Sequence, residues 1–328
     1  MSKPSGMKAV MEAIRANRRF IVTSHINPEG DALGSAMALA SLLKRLGKQA
    51  IVANDGGIPK ALYYLPRLAP VISRPDKTVS ADVSITVDVP TFSRVGSIAR
   101  LIERIPLVIC IDHHVSNQQF ADINWVDPKA AATGEMIYRL YKAFRLKPRT
   151  PEAFCMYVAL VTDTGSFRYL NTTPEVHRMA AELIATGVSP LKVAQHLYEA
   201  HSPADLRFLG KLLQTLRVSL DGRIAWLEMP QSILKASKAG SEVVDDLVNY
   251  PRSVGSAEVA FVLREALEKG KIRVSFRSKG NVDVDRIARS FGGGGHMAAS
   301  GCTVEGTLHQ ARAKVLKVVQ KALRGKRN

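Results

Sequence analysis

Leu107-Val108-Ile109-Cys110-Ile111-Asp112-His113-His114 is an apolar run that stops on a carboxylate and two imidazoles. The run has the length and composition of a buried parallel strand, and open α/β sheets place their chemistry where such strands end. A polar loop that happens to hold two histidines would look the same in isolation. What separates the two readings is whether other strand ends carry the same kind of atom.

Three other stretches do. Phe20-Ile21-Val22-Thr23-Ser24 runs into His25-Ile26-Asn27-Pro28-Glu29-Gly30-Asp31, which crowds His25, Glu29 and Asp31 into one turn before a helical pattern from Ala32 to Leu46. Val83-Ser84-Ile85-Thr86-Val87 closes on Asp88, with Ser93-Arg94-Val95-Gly96 beyond. Tyr157-Val158-Ala159-Leu160-Val161-Thr162, helix or strand by periodicity, delivers Asp163 ahead of Thr164-Gly165-Ser166-Phe167-Arg168.

Gathering Glu29, Asp31, Asp88, Asp112 and Asp163 along one sheet edge is costly unless cations neutralise them, because like charges in a partly desolvated site oppose each other's ionisation. Metal ions resolve the conflict. Mixed carboxylate and imidazole donors without cysteine favour Mn²⁺ or a comparable divalent ion over an all-thiolate structural zinc. So many ligands call for at least two ions, and two metals roughly 3.5 to 4 Å apart are the usual device for in-line phosphoryl displacement.

The set His25-x3-Glu29-x-Asp31, Asp88, Asp112-His113-His114 and Asp163, with Gly292-Gly293-Gly294-Gly295-His296 far downstream, resembles the DHH family of phosphoesterases. Within that family the pattern is most similar to the bacterial group of combined nanoRNases and pAp phosphatases, and it spans nearly the whole chain. The resemblance implies one metal on His25, Glu29 and Asp88, and a second on Asp31, Asp88, His113 and Asp163, with Asp88 as the bridge. It further implies that Asp112 orients a ligand, as metal-binding imidazoles commonly require, and that His114 faces the scissile phosphate. The family usually has Asp where this chain has Glu29. The extra methylene lengthens the reach by about one C–C bond, so the first metal is expected to sit differently or bind more weakly.

Composition sets the outer bounds. A chain of 328 residues exceeds the roughly 100 to 200 typical of one domain, and a hydrophobic content of 46% suffices for two cores. No stretch approaches the roughly 18 apolar residues of a membrane span, and Met1-Ser2-Lys3-Pro4-Ser5 leads into a basic helical pattern without a secretory apolar core. A cytoplasmic protein without a membrane partner is the expectation. Cys110, Cys155 and Cys302 fit that compartment as packing residues without metal-ligand or redox-pair spacing. The net charge of +17, from 46 basic and 29 acidic residues, attracts polyanions; a basic proteome or a solvated helix face gives the same count. Lys314, Lys317, Lys321, Arg324, Lys326 and Arg327 suit one exposed face of a terminal helix and are not assigned to substrate.

From Arg19 to about Gly187 short apolar runs alternate with helical segments, which predicts a doubly wound, mainly parallel α/β sheet with right-handed crossovers. Residues 1–187 form this expected catalytic domain, 188–203 a helical linker, and 204–328 a second, smaller α/β domain. Strand candidates in the latter are Ile224 to Glu228, Glu258 to Leu263, Ile272 to Phe276 and Ser300 to Val304. Four consecutive glycines before His296 are not expected to serve core packing. They allow φ > 0 and close backbone approach, and consecutive N–H groups there can form an anion nest. A plain flexible loop is the simpler reading of poly-glycine alone.

By resemblance, Gly293, Gly294, Gly295 and His296 bind nucleotide, Arg277 and Ser278 sit where the family presents an arginine to substrate, and the two domains enclose a cleft that limits substrate length. Arg94 either contacts phosphate or caps a helix. The implied reactions are cleavage of oligoribonucleotides of two to five nucleotides and dephosphorylation of 3′-phosphoadenosine 5′-phosphate (pAp). The implied partners are those short RNAs and pAp, and a homodimer is compatible with the sequence. Soluble cyclic-dinucleotide hydrolysis is the main alternative, and an RNA-binding protein with a degenerate metal site is the non-enzymatic one. A long-strand exonuclease would need a further nucleic-acid-binding domain. Pyrophosphatases of related design lack the glycine-histidine loop.

Overall fold

A computed structural model describes residues 5–74, 79–235 and 246–324. The chain divides into two compact units, Met1–Leu197 and Tyr198–Asn328. The basic positions Lys326 and Arg327 lie outside the described residues.

The first unit contains β1 (Arg19–Thr23), β2 (Gln49–Ala53), β3 (Val71–Ile72), β4 (Val83–Val87), β5 (Leu107–Asp112) and β6 (Ile123–Val126). Its helices are α1 (Gly6–Ala16), α2 (Gly30–Arg45), α3 (Ala99–Ile102), α4 (Thr133–Ala143), α5 (Thr150–Asp163), α6 (Pro174–Ala185) and α7 (Pro190–Tyr198). The strands form one sheet in the order β3-β2-β1-β4-β5-β6, and every neighbouring pair is parallel. After β3 the chain returns to the other side of β1, so the strand order reverses between β1 and β4. The crevice at such a reversal is where doubly wound sheets bind ligands.

Burial on both faces explains why these strands read as continuous apolar runs. Phe20, Val22, Ile85 and Ile109 pack with α1, α2, α4 and α5, while Ile21 and Ala53 pack the other way against Ile98, Leu101 and Ile102 around α3. The ambiguous stretch Tyr157 to Thr162 is helical, within α5. Every residue from Cys155 to Val161 is buried, so the helix shows no polar face and its period was hidden. Asp163 therefore arrives from a helix C-terminus, whereas Asp88 and Asp112 stand at strand ends and Asp31 in the first turn of α2.

Helices α2, α4 and α5 approach closely because the contact positions are glycine. A Cβ on Gly34 would lie 2.5 Å from the carbonyl oxygen of Cys155, and one on Gly134 would lie 2.5 Å from the Ala159 Cβ. This contact fixes the N-termini of α2 and α4 beside the C-terminus of α5.

The second unit holds α8 (Pro203–Leu213), α9 (Gln231–Lys235), α10 (Asn249–Arg252), α11 (Val284–Arg289) and α12 (Leu308–Arg324). Its strands are β7 (Arg217–Val218), β8 (Ile224–Met229), β9 (Val259–Glu265), β10 (Lys271–Ser278), β11 (Gly294–His296) and β12 (Ala299–Glu305). They form a mixed sheet in the order β11-β12-β10-β9-β8-β7, in which only β8 and β9 run parallel. Helices α11 and α12 cover one face through Ile287, Val315 and Val319. No helix among the described residues is long and apolar enough to cross a membrane.

Gly34→Ala should destabilise the first unit by about 1–3 kcal/mol through overpacking. Gly210→Ala, in α8 with open space around the new methyl, should instead stabilise by up to about 1 kcal/mol. Urea midpoints of the two variants check the pair; equal shifts would show that the α2–α5 contact is not tight.

Candidate metal centre

The ends of β1, β4 and β5 and the ends of three helices converge on one cluster. After β1, the Asn54 side-chain oxygen accepts from both the amide and the hydroxyl of Ser24, at 3.1 and 3.0 Å, and so fixes the strand end. The next residue, His25, places Nδ1 2.8 Å from the carbonyl of Ile26. With a proton on Nδ1 for that acceptor, the ring presents Nε2 to the Asp88 Oδ2 at 3.5 Å and the Glu29 Oε1 at 3.6 Å.

Asp88 sits in the left-handed region at φ 59, and its amide still donates to Ile111 at 3.0 Å, extending the β4–β5 ladder. The turn aims the two carboxylate oxygens in different directions. Oδ2 faces His25. Oδ1 faces His113 Nε2 at 3.6 Å and accepts from the Thr133 hydroxyl at 3.2 Å.

Asp31, in the first turn of α2, is fully buried. Its carboxylate accepts from the amides of Thr133 and Gly134 at 2.7 and 2.8 Å and from the Ser35 hydroxyl at 2.9 Å. The amides at the start of α4, which have no partner within the helix, thus hold a negative group, as helix N-termini do. His113 Nε2 lies 3.8 Å from Asp31 Oδ2 and 3.0 Å from Asp163 Oδ2. Its other nitrogen is 3.1 Å from the carbonyl of Ala130.

Asp112 holds a different ring from the one a ligand-orienting role suggests. Its Oδ1 is 2.7 Å from Nδ1 of His114, and its Oδ2 accepts from the Asn117 amide at 2.6 Å. His113, whose Nε2 faces Asp31, Asp88 and Asp163, is positioned by the backbone carbonyl of Ala130 instead.

Among the described residues of the first unit, potential ligand atoms lie within 4.8 Å of one another in three sets: His25, Glu29 and Asp88; Asp31, His113 and Asp163; and Asp88, Asp112 and His114. The protonation balance shows what such crowding costs. Burial, then the charges of Asp88 and Asp163, pushes Asp31 well above the usual carboxylate range, and burial foremost raises Asp163. Asp88 is held far below that range: burial opposes its charge, but the facing His25, His114 and His113 prevail. The imidazoles move up in step. Burial disfavours a charged His25, yet Asp88 and Glu29 bring it to about 10. Against the same burial, Asp163 raises His113 and Asp112 raises His114. Without another cation, the buried carboxylates recruit protons. Oxygen and imidazole donors gathered on both sides of one carboxylate fit divalent cation binding.

The remaining expected site residues divide between the units. Arg94 serves the His25 turn: its carbonyl accepts from the Ile26 amide at 2.8 Å, and Nη2 lies 3.4 Å from His25 Nδ1. Glu29 is the N-cap of α2 without a side-chain capping bond, and its side chain is 63% exposed. In the second unit, Arg277 donates to the carbonyl of Phe276 at 3.0 Å, and the buried Ser278 hydroxyl has no hydrogen-bond partner among the described residues.

The glycine run departs from expectation. Gly294–His296 is a strand paired with Ala299–Gly301, and the amides of Gly292, Gly293 and Gly295 are taken by Arg289, Ala288 and Asp285. These N–H groups do not form an anion nest. Packing, contrary to expectation, accounts for two of the glycines: a Cβ on Gly293 would lie 2.1 Å from the carbonyl of Gly301, and one on Gly295 2.5 Å from that of Ala299.

Three contributors were not expected from the sequence: Thr133, Asn117 and Asn171. Asn171 donates to the carbonyls of Ala131 and Asp163 at 2.9 and 3.1 Å, tying the loop that orients His113 to the end of α5.

Residues 19–160 match the family model described as "DHH family, N-terminal domain", and residues 232–325 match the DHHA1 domain. The bifunctional oligoribonuclease and PAP phosphatase NrnA of Thermus thermophilus is 35% identical over 97% of this chain and 94% of its own length. The protein of that name from Bacillus subtilis is 29% identical, over 87% and 89% of the two chains. Among solved structures, an exopolyphosphatase-related protein from Bacteroides fragilis superposes with a TM-score of 0.87 at 25% identity, covering 96% of this chain and 95% of its own.

Raised imidazole and carboxyl pKa values mean that bound cations must displace protons. Mn²⁺ titrated calorimetrically at neutral pH, in buffers of different ionisation enthalpy, should release at least one proton. Below about 10 His25 is protonated, so affinity should fall as pH drops from 8 to 6, roughly tenfold per unit for each displaced proton. A pH-independent affinity would contradict this.

Proposed function

The chain belongs to the DHH family of phosphoesterases, and on that premise we propose that it hydrolyses very short oligoribonucleotides to mononucleotides and removes a phosphate from pAp. The carrying observation is Asp88, whose two oxygens face two separate groups of nitrogen and oxygen donors. The near full-length likeness to proteins named for both activities supports the choice of substrates.

In this reading His25, Glu29 and Asp88 hold one divalent ion and Asp31, Asp88, His113 and Asp163 the other, with Mn²⁺ the expected metal. Ions held there supply Lewis acidity to phosphoryl oxygens and lower the pKa of an attacking water. The chain's own part is orientation. The amides of Thr133 and Gly134 keep Asp31 pointed inward. Ile26 and Ala130 engage Nδ1 of His25 and His113, which would leave Nε2 of each ring to hold a metal. Asp112, itself held by Asn117, engages Nδ1 of His114, and that ring then meets a phosphoryl oxygen through Nε2.

Arg277, Ser278, Gly293, Gly294, Gly295 and His296 of the second unit are proposed to bind the nucleotide. Arg94 acts on the His25 turn and is proposed to contact phosphate as well. The cytoplasm is the proposed compartment, in keeping with three buried free thiols.

Purified protein offered a diribonucleotide, pAp, a long single-stranded RNA and cyclic di-AMP, each with Mn²⁺ or with chelator, should turn over the first two only with metal. Absence of dinucleotide turnover would overturn the proposal. His113→Ala should cost more than the roughly 10–100-fold typical of residues that merely support a ligand; full activity would refute the ligand assignment.

A further inference from the structure

Of the four clustered aspartates, Asp163 has the least support. Asp31 accepts from two amides and a hydroxyl, Asp88 from the Thr133 hydroxyl, and Asp112 from the Asn117 amide. Among the described residues, the Asp163 carboxylate meets His113 at 3.0 Å and receives no hydrogen bond from an amide or a hydroxyl. Its side chain is also 22% exposed, against 2% or less for the other three.

The position of Asp163 is therefore set through its main chain. It is the last residue of α5, where helix carbonyls lack partners within the helix. Beyond it Gly165, Ser166 and Phe167 are all left-handed, at φ 55, 61 and 61, a conformation unfavourable for the two that are not glycine. This tight turn returns the chain to its own helix end. There the Asn171 side-chain nitrogen donates to the Asp163 carbonyl at 3.1 Å and to the Ala131 carbonyl at 2.9 Å. Two carbonyls against one nitrogen fix which way the amide faces, although its buried Oδ1 is then left without a partner among the described residues. Thr173, two residues on, accepts from the Val176 amide and caps α6, so Asn171 sits between two anchored helix ends.

Ala131 lies in the loop between β6 and α4, on which the neighbouring donors depend. The Ala130 carbonyl meets Nδ1 of His113, and the Thr133 and Gly134 amides hold Asp31. One side-chain amide thus joins the aspartate that lacks side-chain support to the loop that places Asp31 and His113.

We propose that Asn171 is a positioning residue for the cation that Asp31, His113 and Asp163 would hold: its amide sets how far Asp163 stands from His113, and with that the affinity of this ion, while the ion beside His25 is untouched. The inference rests on the reading of the cluster as a two-ion site.

Asn171→Leu keeps the volume of the side chain and removes the donor. Calorimetric titration of Mn²⁺ into the full chain should show one ion weakened by roughly 10–100-fold, the range for a group that supports a ligand, and the other within about twofold of wild type. Anomalous scattering from crystals grown at limiting Mn²⁺ should find the variant's His25 position occupied and its His113 position weak. Asn171→Gln, with the same amide on a longer stem, should bind the affected ion more tightly than Asn171→Leu. Equal weakening of both ions, as general loosening would produce, no weakening of either, or equal affinities in the Leu and Gln variants would overturn the proposal. Should wild-type protein take up a single ion, the two-ion reading fails, and metal-free crystals decide the role of Asn171: an Asp163 Oδ2 farther from His113 Nε2 than the 3.0 Å of wild type in Asn171→Leu supports it, and an unmoved Asp163 rejects it.

Discussion

Mutual repulsion among Asp31, Asp88, Asp112 and Asp163 is the constraint around which the first unit is built. Three of these carboxylates are almost completely buried, at the end of a sheet whose strands are apolar on both faces. Each has an identifiable compensation. Asp31 receives two helix N-terminal amides, Asp112 an imidazole and an amide side chain, and Asp88 three histidines at 3.5 to 3.6 Å. Those contacts leave the imidazoles and two of the carboxyls holding protons above their ordinary ranges. A cluster in that condition exchanges protons for metal ions readily.

The packing of helices serves the same end. Gly34 and Gly134 let α2 and α4 press onto α5 until backbone nearly meets backbone, and only at that separation do the Thr133 and Gly134 amides reach Asp31. A sheet order that reverses between β1 and β4 sets His25 beside Asp88. Fold and site are therefore one problem: the contacts that close the core also aim the clustered carboxylates and imidazoles.

Much of this was legible in the sequence because strand ends announce themselves. His25, Asp88 and the Asp112-His113-His114 run each follow an apolar stretch that breaks on a charged residue. Asp163 was harder, since a helix buried all round has no polar stripe to reveal its period. Thr133, Asn117 and Asn171 were not legible at all. Thr133 acts on Asp31 largely through its amide, about a hundred residues away in sequence, and any residue except proline carries that donor. The glycine run misled in the opposite sense: two of its glycines are required by contact with Gly301 and Ala299 in β12, which no local pattern displays.

The central claim is that Asp88 bridges two cations, and manganese anomalous scattering from crystals of the metal-loaded protein tests it most directly. Two peaks about 3.5 to 4 Å apart are predicted, one beside His25 and Glu29 and one beside Asp31, His113 and Asp163, with Asp88 touching both. A single peak, or a pair that does not share Asp88, would contradict the account.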